Sequence, residues 1–486
     1  MGEKKSKYDK VLSSKDMFVI AFGAMIGWGW IVMTGEWINY GGSVGAMIAF
    51  GIGGFMVLFV GLTYAELTSA MPECGGEHIF SLRAFGKNGS FVCTWAIILG
   101  YVGVVAFEAC AFPTVIKYIA PSLVTKGYMY TIGGFDVYAS WVAVAVVAAI
   151  AITYINYKGA KTAANVQTIL TVVIALVGIA LIAASAVRGN VANLDPMFLE
   201  GNEIGGVFKV AVMTPFMLVG FDVIPQAAEE INIPFKKIGK IIIFSIFMAV
   251  AWYVLIVLAV SLIMSKGDLS ISELVTADAM KKAYFNSDIA STVCILGGIM
   301  GIVTSWNSFF MGGSRAIAAL SESHMAPAFL SKVNKKTKTP TNSILLVGLI
   351  AVIAPFFGKS MMTWITDAGS FAVCLAYLMV SASFLKLRKS EPNMNRPYKV
   401  KNAKFVGGMA VLTTTIMCLL YVVPGNSQLI TEEWIIVGAW ILLGVIFYGY
   451  ARRQYKEKFG TRQKLIYEDV VEKSPKKNKE NVVAKA

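Results

Sequence analysis

"GAMIGWGWIVMTG" occupies residues 23–35, inside an apolar run long enough to cross a bilayer, yet it carries four glycines and two tryptophans. A glycine in a helix interior costs about 1 kcal/mol relative to alanine, so this span is weakened in its own middle. Five apolar runs later, "MTPFMLVGFDVIPQAAEE" at 213–230 is interrupted in the same way by Pro215, Gly220 and Pro225. Backbone that leaves the helix at membrane depth has no water to bond its freed N–H and C=O groups, so it must face protein or a cavity. Small residues also serve close helix packing, which is the other use of Gly27 and Gly29. A second break at the corresponding place in a second half points instead to an inverted-repeat transporter with its ligand between the two breaks.

The rest of the chain supports a bilayer setting. Of 486 residues, 56% are hydrophobic and 15% charged, and the mean hydropathy of +0.66 is that of a membrane protein. Twelve spans are predicted, near 16–39, 43–71, 89–118, 138–156, 163–187, 205–228, 239–264, 285–320, 341–358, 361–385, 405–423 and 433–451. The expected fold class is thus an all-α membrane protein of twelve transmembrane helices, with broken helices 1 and 6 in an inverted five-plus-five repeat and two further helices. Its parts are an N-terminal segment 1–15, a first repeat 16–187, a second repeat 205–389, two more helices within 404–453, and a basic tail 454–486 expected to be disordered. The polar start "MGEKKSKYDK" and the length of the first apolar run read as a retained helix with no cleavable leader.

Most of the 43 Lys and Arg fall in segments that are cytoplasmic if the amino terminus is inside. The positive-inside rule then places both termini in the cytoplasm. The same distribution explains the net charge of +14 as topology signal and solvated ends, with contact of the tail with anionic lipid left open and no nucleic acid expected. The six cysteines form no CxxC pair and read as small core hydrophobes, Cys74 alone lying outside a span. His78 and His324 are expected as solvated residues at loop edges. No metal site and no cofactor is expected.

Five motifs in order resemble one family. "GAMIGWGWI" at 23–31 is similar to G-S-x-x-G-[ST]-G-I. "YAELTSAMPECGGEHIFSLRAFG" at 64–86 resembles Y-A-E-L-x-x-x-x-P-x-x-G-G-x-Y. "GFDVIPQAAEEINIPFKKI" at 220–238 resembles G-[FW]-[DE] followed by E-E and N-P. "SRAIAALSESHMAPAFLSKVNKKTKTP" at 314–340 and "FLKLRKSEPNMNRPYKV" at 384–400 resemble the ends of its helices 8 and 10. The chain so resembles the amino acid-polyamine-organocation superfamily, amino acid permease type, up to about residue 450.

The resemblance implies a substrate held between broken helices 1 and 6. It implies that backbone amides of the first break meet a carboxylate and carbonyls of both breaks meet an amine. The contacts carried over are Met25, Ile26, Gly27, Trp28 and Gly29 in helix 1, with Phe216, Val219, Gly220, Phe221 and Asp222 in helix 6, Phe216 as an aromatic gate. Trp28 departs from the small hydroxylated residue usual between the two glycines. Its ring could shrink the pocket, stack on a cationic amine, or pack against a neighbouring helix. The lysine that some relatives carry in helix 5 aligns with Ile174, and its hydroxyl partner in helix 8 with Phe309. No sodium site is therefore expected, although Thr304 and Ser305 offer hydroxyls one turn away.

Charges at membrane depth are costly and seldom idle. In "GYVGVVAFEACAF" at 100–112, Tyr101, Val104 and Glu108 share a helix face. Glu108 could pair with a substrate ammonium, take a proton, or serve structure. Asp222 could bond free amides in the break, gate, or sense protons; Glu108, Asp222 and Phe216 are the gating and proton-coupling candidates. Glu66, Glu229 and Glu230 are expected near Lys158, Lys161, Lys236 and Lys237 at the inner ends of the helices. Arg315 is expected to bond helix ends on the inner side, and Glu36 to sit at the outer mouth.

The function expected is secondary active transport of an amino acid across the cytoplasmic membrane by alternating access, as proton-coupled symporter or exchanger. The alternative substrate is a cationic amine or polyamine, and a non-transporting nutrient receptor is the remaining alternative. No GxxxxGK[ST] loop is present, and no nucleophile-base set suggests an enzyme. The protein is expected to act as a monomer.

Overall fold

The computed structural model describes residues 6–358, 360–425 and 428–462. It is almost wholly helical, with one two-stranded hairpin, β1 (Tyr128–Ile132) and β2 (Phe135–Tyr138), outside the helical body. In chain order the helices are α1 (Ser14–Met25), α2 (Gly29–Val32), α3 (Thr34–Gly41), α4 (Ser43–Ala70), α5 (Glu77–Ile119), α6 (Ala139–Lys158) and α7 (Ala160–Arg188). They continue with α8 (Glu203–Met217), α9 (Val223–Gln226), α10 (Phe235–Ile263), α11 (Lys266–Ile271), α12 (Val275–Ala283) and α13 (Asp288–Glu322). The last four are α14 (Thr341–Ile353), α15 (Ser360–Ser390), α16 (Ala403–Val422) and α17 (Thr431–Tyr455).

Among the described residues nine helices are long and apolar enough to cross a membrane: α4, α5, α6, α7, α10, α13, α15, α16 and α17. The remaining apolar runs are shorter or interrupted. The first is started by a capping box, in which the Ser13 side chain accepts from Asp16 N–H while the Asp16 carboxylate accepts from Ser13. Helix α1 stops at Met25 because Ile26 leaves helical angles (φ −106°, ψ 72°). The second run, α8, starts on an Asn202 cap and loses its ladder after Pro215, where proline has no N–H to give.

The two interrupted runs lie side by side in opposite directions. At one end Leu12 pairs with Ile231, and Val11 N–H and Leu12 N–H both donate to the Glu230 carbonyl at 2.9 Å. At the other, the Lys209 ammonium sits 3.3 Å from the centre of the Tyr40 ring. Helices α7, α10 and α13 hold α1, while α5 packs between α13 and α15. Helix α5 bends at Gly86, whose φ of 74° suits only glycine.

Three expectations are corrected here. His78 is not a solvated loop residue but is fully buried. Its Nδ1 lies 2.9 Å from both Thr94 Oγ1 and Ser90 Oγ, and its Nε2 lies 2.6 Å from Ser323 Oγ. The chain turns inward at Gly75-Gly76 and α5 begins at once, before the expected start of the span. The tail is ordered past 455, since Gly460 N–H donates to the Ser323 carbonyl and Arg462 is buried. The rest of the expected tail, 463–486, and residues 1–5 lie outside the described residues.

Candidate functional site

The first break exposes backbone. Ile26 N–H still donates to the Phe22 carbonyl, but among the described residues the amides of Gly27, Trp28 and Gly29 meet no backbone acceptor. The Met25 carbonyl, freed at the end of α1, accepts from the Tyr253 hydroxyl at 2.8 Å. A seat for the break is cut in α13 by glycines. A β-carbon at Gly301 would stand 2.4 Å from the Gly27 carbonyl oxygen, and one at Gly298 would stand 2.1 Å from the Trp28 ring. Trp28 therefore lays its ring against α13, and the residue also lines the cavity beside it.

The second break rests on the first. Gly220 has φ 138°, and a β-carbon there would meet Ala24 Cβ at 2.6 Å and Met25 N at 3.0 Å. Asp222 braces this turn from behind: Oδ1 accepts from Gly220 N–H (2.9 Å) and Oδ2 from the Tyr101 hydroxyl (2.7 Å). Its side chain is fully buried, so the carboxylate takes the place of the missing ladder acceptors.

Between the breaks opens a cavity of about 830 Å³. Met25, Gly27, Trp28, Gly29, Val104, Glu108, Phe216 and Val219 line it, together with Phe107, Met213, Met217, Ser305 and Phe309. Ile26, Gly220, Phe221 and Asp222 lie behind its wall; Phe221 packs edge-on against Tyr64 and Asp222 faces Tyr101. Glu108 is 3% exposed, faces Ser305 and Gly27, and its Oε2 has no hydrogen-bond partner. The residue lines the cavity, and a buried acceptor without a partner invites a donor. Glu36, Tyr40, Lys209, Asp367 and Glu433 also belong to the cavity lining.

Glu66, Glu229 and Glu230 lie outside the cavity lining, each held in an ion pair, and the partners differ from those expected. Glu230 pairs with Arg315 (2.8 Å), Glu66 with Arg388 and Arg396 (2.5 and 3.0 Å), and Glu229 with Arg462 (3.1 Å). Of the four lysines, Lys161 pairs instead with Asp16 at 2.7 Å. Arginine suits these buried sites because its planar fork meets a carboxylate with two donors. Arg462 also reaches Glu322 (3.2 Å) and Glu73 (3.7 Å).

Sequence reasoning passed over Tyr253, Gln167 and Asn307. Gln167 Nε2 donates to the Val19 and Thr304 carbonyls (3.2 Å each) and to Ser308 Oγ (3.1 Å), and its Oε1 accepts from Asn307 (2.8 Å). This amide, not Ile174 or Phe309, makes the polar link between α1, α7 and α13. A lone amide or phenol in an apolar run was the only signal available for them.

Two antiparallel interrupted segments that cross at a buried cavity within a bundle of apolar helices define a multi-pass membrane transport protein. The amino acid permease family profile matches residues 12–447, and the chain belongs to that family, within the amino acid-polyamine-organocation superfamily that its motifs resemble. These are permeases rather than enzymes. The chain is 28% identical to a branched-chain amino acid permease of Bacillus subtilis (strain 168), over 94% of this chain and 95% of the relative. It is 25% identical to a methylthioribose transporter (91% and 94% covered) and 24% identical to an aspartate-proton symporter (95% and 88%), both of the same organism.

Proposed function

We propose that the protein is a secondary active transporter of an amino acid, working by alternating access around the two breaks as a proton-coupled symporter or exchanger. The observation that carries this reading is the meeting of both breaks on one cavity where Glu108 Oε2 stands without a partner. The unpaired amides of Gly27, Trp28 and Gly29 would take the substrate carboxylate, and Glu108 with Ser305 would take its ammonium. Phe216, on the cavity wall, would close over the bound molecule, and Asp222 would hold or release the second break. In this reading the interrupted runs and α14 complete twelve crossings, the first five related to the next five by inversion. The Glu36 side of the cavity faces outward, the arginine-paired carboxylates and both termini face the cytoplasm of a plasma-membrane protein, and a monomer needs neither cofactor nor sodium.

A cationic amine or polyamine is the second reading. It is favoured by the lining, in which Glu36, Glu108, Asp367 and Glu433 face a single lysine, Lys209. Thermal stabilisation of the purified protein by a panel separates the two: leucine, aspartate, arginine, putrescine and methylthioribose. Stabilisation by carboxylate-bearing compounds supports the amino acid reading, and stabilisation by putrescine alone overturns it. Uptake that strictly requires sodium would refute the expected ion independence.

A further inference from the structure

Behind the cavity wall lies a polar cluster that none of the roles above employs. Helix α5 begins at Glu77, directly after the Gly75-Gly76 turn, and the inner half of the second interrupted run ends at Gln226. Both side chains are fully buried. The Gln226 Nε2 amide donates to Glu77 Oε2. On the same two side chains Glu77 Oε1 and Gln226 Oε1 have no hydrogen-bond partner.

Two orphaned acceptors on a carboxyl and a primary amide that already share one bond have a specific remedy. A proton on Glu77 Oε1 donates to Gln226 Oε1 and closes a cyclic acid–amide pair, in which N–H donates to C=O and O–H to the other C=O. If the amide is turned by half a rotation, its oxygen meets Oε2, and again only a proton on Glu77 can lie between two acceptors. Among the described residues the Gln226 amide is the one side chain within hydrogen-bond distance of the Glu77 carboxyl. The Tyr64 hydroxyl of α4 lies beside Glu77 and has no hydrogen-bond partner of its own within reach. The Tyr101 hydroxyl, from α5, is given to Asp222, and Tyr377 of α15 and Cys93 of α5 complete the ionisable surroundings. Among the described residues no salt bridge reaches Glu77, and the charged neighbour it does face is another carboxylate, Asp222.

We propose that Glu77 is a proton-binding residue of the transport cycle, and that its proton closes a Glu77–Gln226 clasp fastening the second interrupted run to the Gly75-Gly76 turn. The clasp has a backbone counterpart, Gly75 N–H donating to the Gln226 carbonyl at 3.2 Å, and Gly76 lies against Pro225. When the Glu77 O–H bond breaks and the proton passes to water, the carboxylate is left beside Asp222 and facing an amide oxygen. Those repulsions release the inner end of the run from the turn. The proposal rests on the proton-coupled form of the transport reading.

Glu77→Gln tests it, because an amide at 77 still pairs with Gln226 but cannot titrate, so the variant keeps its fold. Infrared spectra of purified protein at neutral pH, without any ligand, are expected to show a protonated-carboxyl carbonyl band in the wild type that is lost in E77Q. An unchanged band overturns the clasp. In proteoliposomes given radiolabelled leucine and arginine, E77Q is expected to lose accumulation driven by a proton gradient while retaining substrate-for-substrate exchange. Wild-type accumulation in E77Q overturns the coupling role. A wild type that exchanges but never accumulates on the gradient overturns it too, and with it proton-coupled symport, while the infrared band still decides the clasp. A wild type that moves neither compound overturns the coupling role together with the transport reading, and the infrared band still decides the clasp.

Discussion

The ring of Trp28 lies over the bare α-carbon of Gly298, so close that a β-carbon on α13 would stand 2.1 Å from Cζ3. Glycine at 298 thus sets how far the indole retreats from the cavity. Gly298→Ala forces the ring toward the substrate space or moves α13, and overpacking of this kind costs about 1–3 kcal/mol. The expected result is a raised KM for uptake and a lowered melting temperature. Trp28→Leu in the same background is expected to recover the melting temperature, which checks that the clash is the cause.

Gly27 and Gly220 respond differently to alanine although both mark breaks. At Gly220 the φ of 138° and the contact with Ala24 leave no room, and backbone strain of this type costs about 1–3 kcal/mol before the steric clash is counted. Gly220→Ala is expected to reduce the yield of folded protein and abolish uptake. At Gly27 the nearest atoms to a β-carbon, on Glu108 and Ser305, stand at 3.5 Å, so Gly27→Ala is expected to fold normally and to weaken substrate binding only. Size-exclusion profiles and ligand-induced thermal shifts distinguish the two outcomes.

Glu108→Gln keeps the shape of the side chain and removes its charge. A hydrogen bond to a charged group contributes about 1.5–3 kcal/mol, so loss of the ammonium contact is expected to raise the KM by about tenfold or more. The folded yield is expected to stay at the wild-type level. Unchanged uptake would make Glu108 a structural residue.

Arg462 joins Glu73, Glu229 and Glu322 and donates to the Cys74 carbonyl at 3.0 Å. Removing one member of a buried charge cluster leaves the others uncompensated, at a cost of about 3–5 kcal/mol when the pair is fully buried. Arg462→Ala is expected to loosen this end first, so that the buried Cys74 reacts faster with a maleimide. Glu391, which is bonded by the more exposed Arg83, offers a control: Arg83→Ala is expected to leave the labelling rate near wild type, since exposed pairs contribute about 0–1 kcal/mol.

Much of this was legible in the chain. The weakened runs at 23–35 and 213–230 announced interrupted helices, and hydropathy announced a membrane. The five motifs announced the family, because the first fixes a backbone need through its glycines and the other four combine such needs with charges at fixed distance along the chain. Two of those motifs prove to be partners: Glu66 of "YAEL" is clamped by Arg388 and Arg396 of the stretch after α15.

What the chain could not specify was which distant groups meet. Glu229 and Glu230 could be placed near the inner ends of helices, but their partners, Arg462 and Arg315, lie far along the sequence, and proximity of lysines in sequence misled. His78 read as a loop residue because the Gly75-Gly76 turn and the fold of α5 over it are needed to bury it. Trp28 had three readings from sequence, and the glycine row of α13 shows where its ring rests. The sequence by itself determined the setting, the interrupted spans and the family, since these follow from solvent transfer and local backbone freedom. Only the tertiary structure decided that Gly220 rests on Ala24, that Trp28 leans on Gly298, and that Glu77 meets Gln226. Such contacts depend on how whole helices are placed against one another, which no local pattern encodes.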